Sequence, residues 1–177
     1  MSEFLKAVQE RVVVYDGAMG TQIQDRAPSL DDYWGKENCS EILVLSRPDM
    51  IKDIHAAYFA AGADVVETDT FGGASIVLGE FGLEARVGEI NETAAKLARE
   101  VANQFSTKER PRFVAGSVGP TTKLPSLGHI KFDQMAASYL EQMTALIASH
   151  LTVGSARATS RRSTILATWR FAIDSKT

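Results

Sequence analysis

Three times within the first 148 residues the chain passes from a short β-branched run into a stretch with a helical apolar stripe. That alternation limits the fold more than any other feature. Residues 11–15 (Arg-Val-Val-Val-Tyr) form the first run, closed by the turn pair Asp16-Gly17. Residues 63–71 form the second, broken by Gly72-Gly73, and residues 112–118 the third, ended by Gly119-Pro120. The helix before the second run starts at Ser46-Arg47-Pro48-Asp49, with Ser46 placed to cap, Pro48 in the first turn and Asp49 suited to the dipole. Its apolar face is Ile51, Ile54, Tyr58 and Ala61, and Gly62 is its stop. Val87, Ile90, Ala94, Leu97, Val101 and Phe105 mark the next helix, and Ala136, Leu140, Met143 and Ile147 the one after it. Strands separated by helices imply parallel pairing through crossovers, so the class is α/β, either a doubly wound sheet or part of a (β/α)8 barrel. A full barrel takes about 250 residues, with a floor near 200. With 177 residues, three units and only 29 residues beyond them, a complete barrel does not fit.

Charge and composition change abruptly at Ser149. Residues 149–177 carry five basic side chains against Asp174 alone, and ten of these 29 residues are Ser or Thr. The preceding 148 residues hold 14 basic and 21 acidic side chains. The expected division is therefore 1–148 as the α/β unit and 149–177 as an unrelated, poorly ordered basic tail. Ile165, Leu166, Trp169 and Phe171 in that tail are candidates to pack on the unit. Its cations are too scattered to predict nucleic-acid contact. A hydrophobic content of 45% excludes a disordered chain. No apolar run approaches the ~20 residues of a membrane span. The N-terminus lacks the pattern of a signal peptide, and Cys39 alone excludes a disulfide framework or a multi-cysteine metal site. A cytoplasmic location without membrane partners is expected.

In parallel α/β folds, functional groups gather where strands run into loops. At the first such end, Asp16 suits an ammonium group, while Gly17 and Gly20 let backbone N–H groups approach a carboxylate; a plain turn accounts equally for these residues. At the second, Glu67 and Asp69 are two apart and share a strand face, as metal ligands or an acid/base pair require. The alternative is that one pairs with a base and the other is solvated. Thr68 and Thr70 face the other way. The third end, Gly116-Ser117-Val118-Gly119-Pro120-Thr121, lacks the spacing of a nucleotide-binding loop and reads as a loop that shapes a pocket. The long polar stretch 24–41 is a binding loop or an insertion over one end of the fold. His55 reads as structural or solvated within its helix, His129 as a candidate loop contact, and Cys39 as neither zinc ligand nor half of a catalytic dyad.

Taken together, Asp16-Gly17-Ala18-Met19-Gly20-Thr21, Ser46-Arg47-Pro48, residues 55–64, Glu67-Thr68-Asp69-Thr70-Phe71 and Gly116-Ser117-Val118-Gly119-Pro120-Thr121 resemble the homocysteine-binding, S-methyltransferase domain family. The polar insertion and Leu124-Pro125-Ser126-Leu127-Gly128 are most similar to the N-terminal module of its cobalamin-dependent branch, whose product is methionine. The resemblance covers residues 8–148. It implies the first three βα units of a (β/α)8 barrel that binds homocysteine at the C-terminal ends of its strands. It also implies that Asp16 contacts the amino group, the backbone at Gly17 and Ala18 the carboxylate, and that Glu67 and Thr68 line the pocket. In the family three cysteine thiolates hold a zinc ion that takes the substrate sulfur; in the cobalamin-dependent branch methylcobalamin is the donor, recharged by methyltetrahydrofolate on another module. Those cysteines belong to the second half of the barrel and have no counterpart here, so no catalytic or metal-ligating residue is assigned.

The simultaneous change of charge, composition and resemblance at Ser149 predicts a methyltransferase shortened by truncation or a shifted reading frame, inactive alone. A half-barrel that associates with a complementary chain or with itself is the alternative. A small enzyme using Glu67 and Asp69 with a hard divalent ion is the third reading.

Overall fold

Parallel pairing is carried by very few residues. In the computed structural model, which describes residues 3–148, β1 (Val65–Glu67) lies beside β2 (Phe113–Ala115), with Val65 opposite Phe113 and Glu67 opposite Ala115. Among the described residues seven α-helices accompany them in chain order. These are α1 (Glu3–Glu10), α2 (Met19–Asp25), α3 (Leu43–Ser46), α4 (Pro48–Ala61), α5 (Ser75–Leu78), α6 (Val87–Phe105) and α7 (Phe132–Ala148). The 149–177 tail expectations, including packing by Trp169 and Phe171, lie outside the described residues. No described helix is long and apolar enough to cross a membrane.

The run at 11–15 joins the sheet only through a parallel bridge between Tyr15 and Val65, rather than as the full strand its composition predicts. Its backbone bonds inward, with Asp64 and Val65 N–H donating to the Val14 carbonyl and Asp16 N–H to that of Val65. Outward, Val12 is 84% exposed, so nothing draws the run into a second ladder. The strand order is thus the chain order: 11–15 beside β1, and β1 beside β2. Beyond Glu67 the predicted strand gives way to a turn, with Thr70 N–H donating to the Thr68 carbonyl and Gly73 N–H to that of Thr70. After the Thr68 N–H, which still donates to the Ala115 carbonyl, ladder bonds are replaced by local ones, and β1 is shorter than its β-branched run.

The helix predictions hold at α4 and α6, with two adjustments. Gly62 ends α4 at φ 113°, a conformation glycine adopts without strain. Ser46 does not cap that helix; its hydroxyl donates to the Ile42 carbonyl, and Arg47 occupies the cap position without a side-chain bond. Ala61, on the predicted apolar face, is exposed, while His55 is fully buried with neither ring nitrogen hydrogen-bonded. Burial pushes the His55 imidazole down to about 4, so it is neutral. On α6 every residue of the predicted stripe but Phe105 is buried.

Helix α7 is turned away from its predicted stripe. Ser138, Gln142, Ala145 and Leu146 face inward, and Leu140 and Ile147 are exposed. Hydrogen bonding explains the rotation. Ser138 Oγ lies 2.7 Å from Ser75 Oγ, and Gln142 Nε2 donates to the Thr70 carbonyl at 2.7 Å. These polar contacts fix the register that the apolar pattern alone misassigned. Successive helices pack side by side, α4 on α6 and α6 on α7. The larger core joins Ile42, Leu43, Ile51, Ile54, Leu78 and Ile90; a smaller one sets Phe59 and Val101 against Val66.

At the N-terminal ends of the strands a buried carboxylate, Asp64, ties these pieces together. Arg11 Nη1 and Nη2 donate to it at 2.6 and 3.1 Å, Val14 N–H at 3.1 Å and Arg112 Nη1 at 3.4 Å, with Arg110 Nε 3.5 Å away. Burial works against its charge. The hydrogen bonds from Arg11 and Val14 and the charges of Arg11 and Arg110 nevertheless hold its carboxyl below the usual range. Replacing Asp64 with Ala leaves Arg112 and the Val14 N–H facing a void. The variant is expected to lose about 3 kcal/mol in urea unfolding at neutral pH, the range for breaking a buried ion pair. A loss under about 1 kcal/mol would show that the cluster is dispensable.

Candidate functional site

The opposite ends of the strands open onto a cavity of about 600 Å³. All five residues singled out for substrate contact, Asp16, Gly17, Ala18, Glu67 and Thr68, line it. Asp16 is placed by the backbone, its own N–H on the Val65 carbonyl and its Oδ2 accepting the Glu67 N–H at 3.0 Å. Burial, and then the charge of Glu67, push the Asp16 carboxyl up to about 6, against the pull of the Glu67 N–H. It is therefore largely ionised at neutral pH. Behind Gly17 stands Tyr58 of α4, whose hydroxyl donates to the Ala18 carbonyl at 3.1 Å. A Cβ on Gly17 would meet that hydroxyl at 3.2 Å, so the missing side chain is what lets the two approach.

Glu67 accepts the Ser117 hydroxyl at 3.2 Å and is exposed. The buried Thr68 hydroxyl lies 2.6 Å from that of Thr70 and accepts the Ser117 N–H at 3.0 Å. Thr70 in turn donates to the Ser117 carbonyl at 2.8 Å. The two threonines are thus more than strand formers, because they stitch the loop after β1 to the loop after β2.

Asp69 departs from the sequence reading. It is neither solvated nor paired with a base; it is 5% exposed and lines the cavity with one oxygen lacking a hydrogen-bond partner. Its carboxyl neighbour is Glu41, supplied by the polar loop. Burial and the Glu41 charge push Asp69 up to about 7, against a hydrogen bond from Ser40. Glu41 is itself 7% exposed and accepts the Gly72 N–H at 2.6 Å. Asn38, Ser40 and Glu80 line the cavity as well, and like Glu41 they were not identified from the sequence. The available signal was Glu41 itself, an acid opening the wholly apolar run 42–45, where burial of its neighbours carries it inward.

Residues 24–41 therefore wall one side of the cavity. Lys36 Nζ donates to the Phe81 carbonyl at 2.5 Å, and the Arg86 guanidinium stacks 4.7 Å from the Trp34 ring centre. Cys39 is fully buried, and burial, then Glu41, push its thiol up to about 11. His129 lies away from the cavity in an exposed loop, where its Nδ1 accepts the Leu124 N–H at 3.4 Å. Among the described residues no basic side chain lines the cavity, and no three His, Cys, Asp or Glu side chains are placed to hold a metal ion.

Comparison with known proteins identifies the family and the fold. The family described as Homocysteine S-methyltransferase matches residues 13–158. Methionine synthase of Mycobacterium leprae (strain TN) is 42% identical over 146 residues, covering 82% of this chain and 12% of its own length. Methionine synthase of Mycobacterium tuberculosis (strain ATCC 25618 / H37Rv) matches with the same identity and coverage. The chain thus spans about an eighth of the length of the curated relatives it matches. Among solved structures, the oxidized form of the homocysteine methyltransferase MmuM from Escherichia coli superposes with a TM-score of 0.67 at 22% identity, over 84% of this chain and 54% of that one. Its metallated form gives 0.65 at 24% identity, over 80% and 52%. At these identities the structural likeness is one of fold.

The loop after β2 holds the cavity through one close approach. Gly119 N–H donates to the Phe71 carbonyl at 2.9 Å, and a Cβ on Gly119 would sit 2.6 Å from that oxygen and 2.7 Å from the Phe71 ring. The backbone oxygen cannot yield as a side-chain tip would. Gly119→Ala is expected to cost about 1–3 kcal/mol in thermal or urea unfolding, as overpacking does. An unchanged melting curve would mean that the two loops separate freely.

Proposed function

The chain belongs to the homocysteine S-methyltransferase family, and on that premise we propose that it carries the amino-acid-binding end of a homocysteine methylation site. One observation carries the reading. Asp16, the backbone at Gly17 and Ala18, Glu67 and Thr68 line a single cavity at the C-terminal ends of the strands. The Asp16 carboxylate offers the countercharge for the substrate ammonium, and the 17–18 backbone offers N–H groups to its carboxylate. Glu67 and Thr68 shape the wall. On this reading residues 1–148 are the first three βα units of a barrel and 149–177 a separate tail.

The family's zinc requires three cysteine thiolates. This chain has one cysteine, buried and with its thiol held protonated, so its donor set does not fit that metal. The proposal accordingly gives these residues the binding and orientation of homocysteine. It leaves activation of the thiol, and delivery of a methyl group from cobalamin and methyltetrahydrofolate, to groups outside this chain. The 177 residues by themselves are expected to bind homocysteine without methylating it.

Isothermal titration of the full chain with homocysteine tests the assignment. Binding is expected at neutral pH. It should weaken as pH falls through about 6, where Asp16 takes up a proton and loses its attraction for the ammonium group. Asp16→Asn should weaken binding by about tenfold or more, the worth of a charge-assisted hydrogen bond. Equal affinity in wild type and variant would sink the assignment of Asp16.

A second reading, association of the half-barrel with a copy of itself, is favoured by its two flanks. Val12, Val14 and Tyr15 are exposed along one edge, and Phe132, Leu140 and Ile147 along α7. Unpaired edges and apolar helix faces promote pairing. Light scattering on the chromatographed chain should then give at least twice the chain mass; a stable monomer would count against it.

A further inference from the structure

The pairing of Glu41 with Asp69 is left unused by the homocysteine reading, and nothing in that reading requires it. The two side chains reach the cavity from different elements, Glu41 from the turn before α3 and Asp69 from the loop after β1. Both are more than nine-tenths buried. Two like charges taken out of water need a countercharge or a shared proton. Bases do not supply it, since none of the described residues lining the cavity is basic.

Two details indicate what the pair is built to hold. Asp69 lines the cavity, and its buried Oδ2 has no hydrogen-bond partner. A buried acceptor left bare is unfavourable, and more so when it is charged. Glu41 is fixed in place by one oxygen, Oε1, on the Gly72 N–H at 2.6 Å, while its other oxygen meets only the Cys39 thiol at 3.9 Å. Asp69 therefore keeps one oxygen without a partner, and Glu41 one whose contact is a long thiol hydrogen bond. Gly72 is required for this placement, because a Cβ there would lie 2.6 Å from Glu41 Oε1.

We propose that Glu41 and Asp69 hold a hard divalent cation on the wall of the cavity, each through one carboxylate oxygen, with water completing the coordination. Two carboxylates with a retained water shell are a common way for proteins to bind magnesium-like ions, and such a site needs no third protein carboxylate. The donors are oxygen. An all-oxygen donor set suits hard cations and separates this site from the family's three-thiolate zinc. The site is also distinct from Asp16 and Glu67, which are tied to each other through the Glu67 N–H. The inference stands whether or not homocysteine is the ligand.

The test is a titration of the full chain with Mn²⁺ at about pH 8, where proton competition for a raised carboxyl is weak. Binding is read by electron paramagnetic resonance and by paramagnetic broadening of backbone amides. One Mn²⁺ per chain is expected, displaced by Mg²⁺, with broadening centred on the amides of Ser40, Asp69 and Gly72. Asp69→Asn and Glu41→Gln should each weaken it by more than about tenfold, since even outer-sphere changes cost that much at metal sites. Asp16→Asn should leave it unchanged. Absence of saturable Mn²⁺ binding by the wild-type chain would overturn the proposal and leave the pair sharing a proton. Broadening centred on Asp16 and Glu67 would overturn it as well. The broadening pattern is read on the wild type, so it decides the matter even if a variant fails to fold.

Discussion

The buried carboxylate of Asp64 is the point on which the small sheet depends. Three-residue strands contribute too few ladder bonds to hold a parallel pair, and the run at 11–15 contributes only a bridge. Asp64 compensates at the base of the sheet. Its backbone accepts the Phe113 N–H and donates to the Val14 carbonyl, while its side chain gathers Arg11, Val14 N–H and Arg112. The arginines extend the tie, Arg112 to the Ala63 carbonyl and Arg110 to that of Gly62. One residue thus sets the separation of all three extended segments and the end of α4. The apolar helices then pack around a frame whose spacing is already fixed.

Holding the sheet from its base leaves the other end available. Every carboxylate described at the cavity lies at or beyond the C-terminal end of an extended segment, or on loops folded over it. There they accept from hydroxyls and backbone N–H groups, Asp16 from the Glu67 N–H, Glu41 from the Gly72 N–H and Glu67 from the Ser117 hydroxyl. Neutral partners of this kind orient a carboxylate without neutralising it. The two ends of the same strands therefore carry opposite strategies, charge pairing at the base and unneutralised charge at the mouth.

This contrast explains which parts were legible in the sequence. The α/β class, α4 and α6 followed from periodicity and turn chemistry, because those signals are local, whereas Asp16, Gly17, Ala18, Glu67 and Thr68 were grouped by the family resemblance. The face of α7 was misread because Ser138 and Gln142 make long-range hydrogen bonds that outweigh the attraction of Leu140 and Ile147 for a core. Strand lengths were overestimated because Thr68 and Thr70 favour extended structure as residue types, yet here spend their hydroxyls on the neighbouring loop. Glu41 escaped notice since its role depends on Asp69, 28 positions away and invisible to any local pattern. Pairs brought together by loops are the part of a site that one sequence conceals most completely.

Cys39, fully buried beside Glu41, indicates what burial next to these carboxylates does to a thiol. A thiol packed beside Glu41 is held protonated, its ionisation pushed up to about 11 by burial and by the neighbouring negative charge. A homocysteine thiol entering the same wall meets the same carboxylates and no described base. Its anion would be disfavoured for the same two reasons, loss of water and like charge. The surroundings that suit an ammonium group at Asp16 therefore oppose a thiolate nearby. Any methyl transfer at this site needs a positive centre to reach the sulfur and reverse the local field, whether supplied by protein groups beyond these residues or by a cation the carboxylates attract. On the proposed homocysteine reading, an acidic cavity suited to the ammonium end of the amino acid sets the requirement that chemistry at its sulfur end must satisfy.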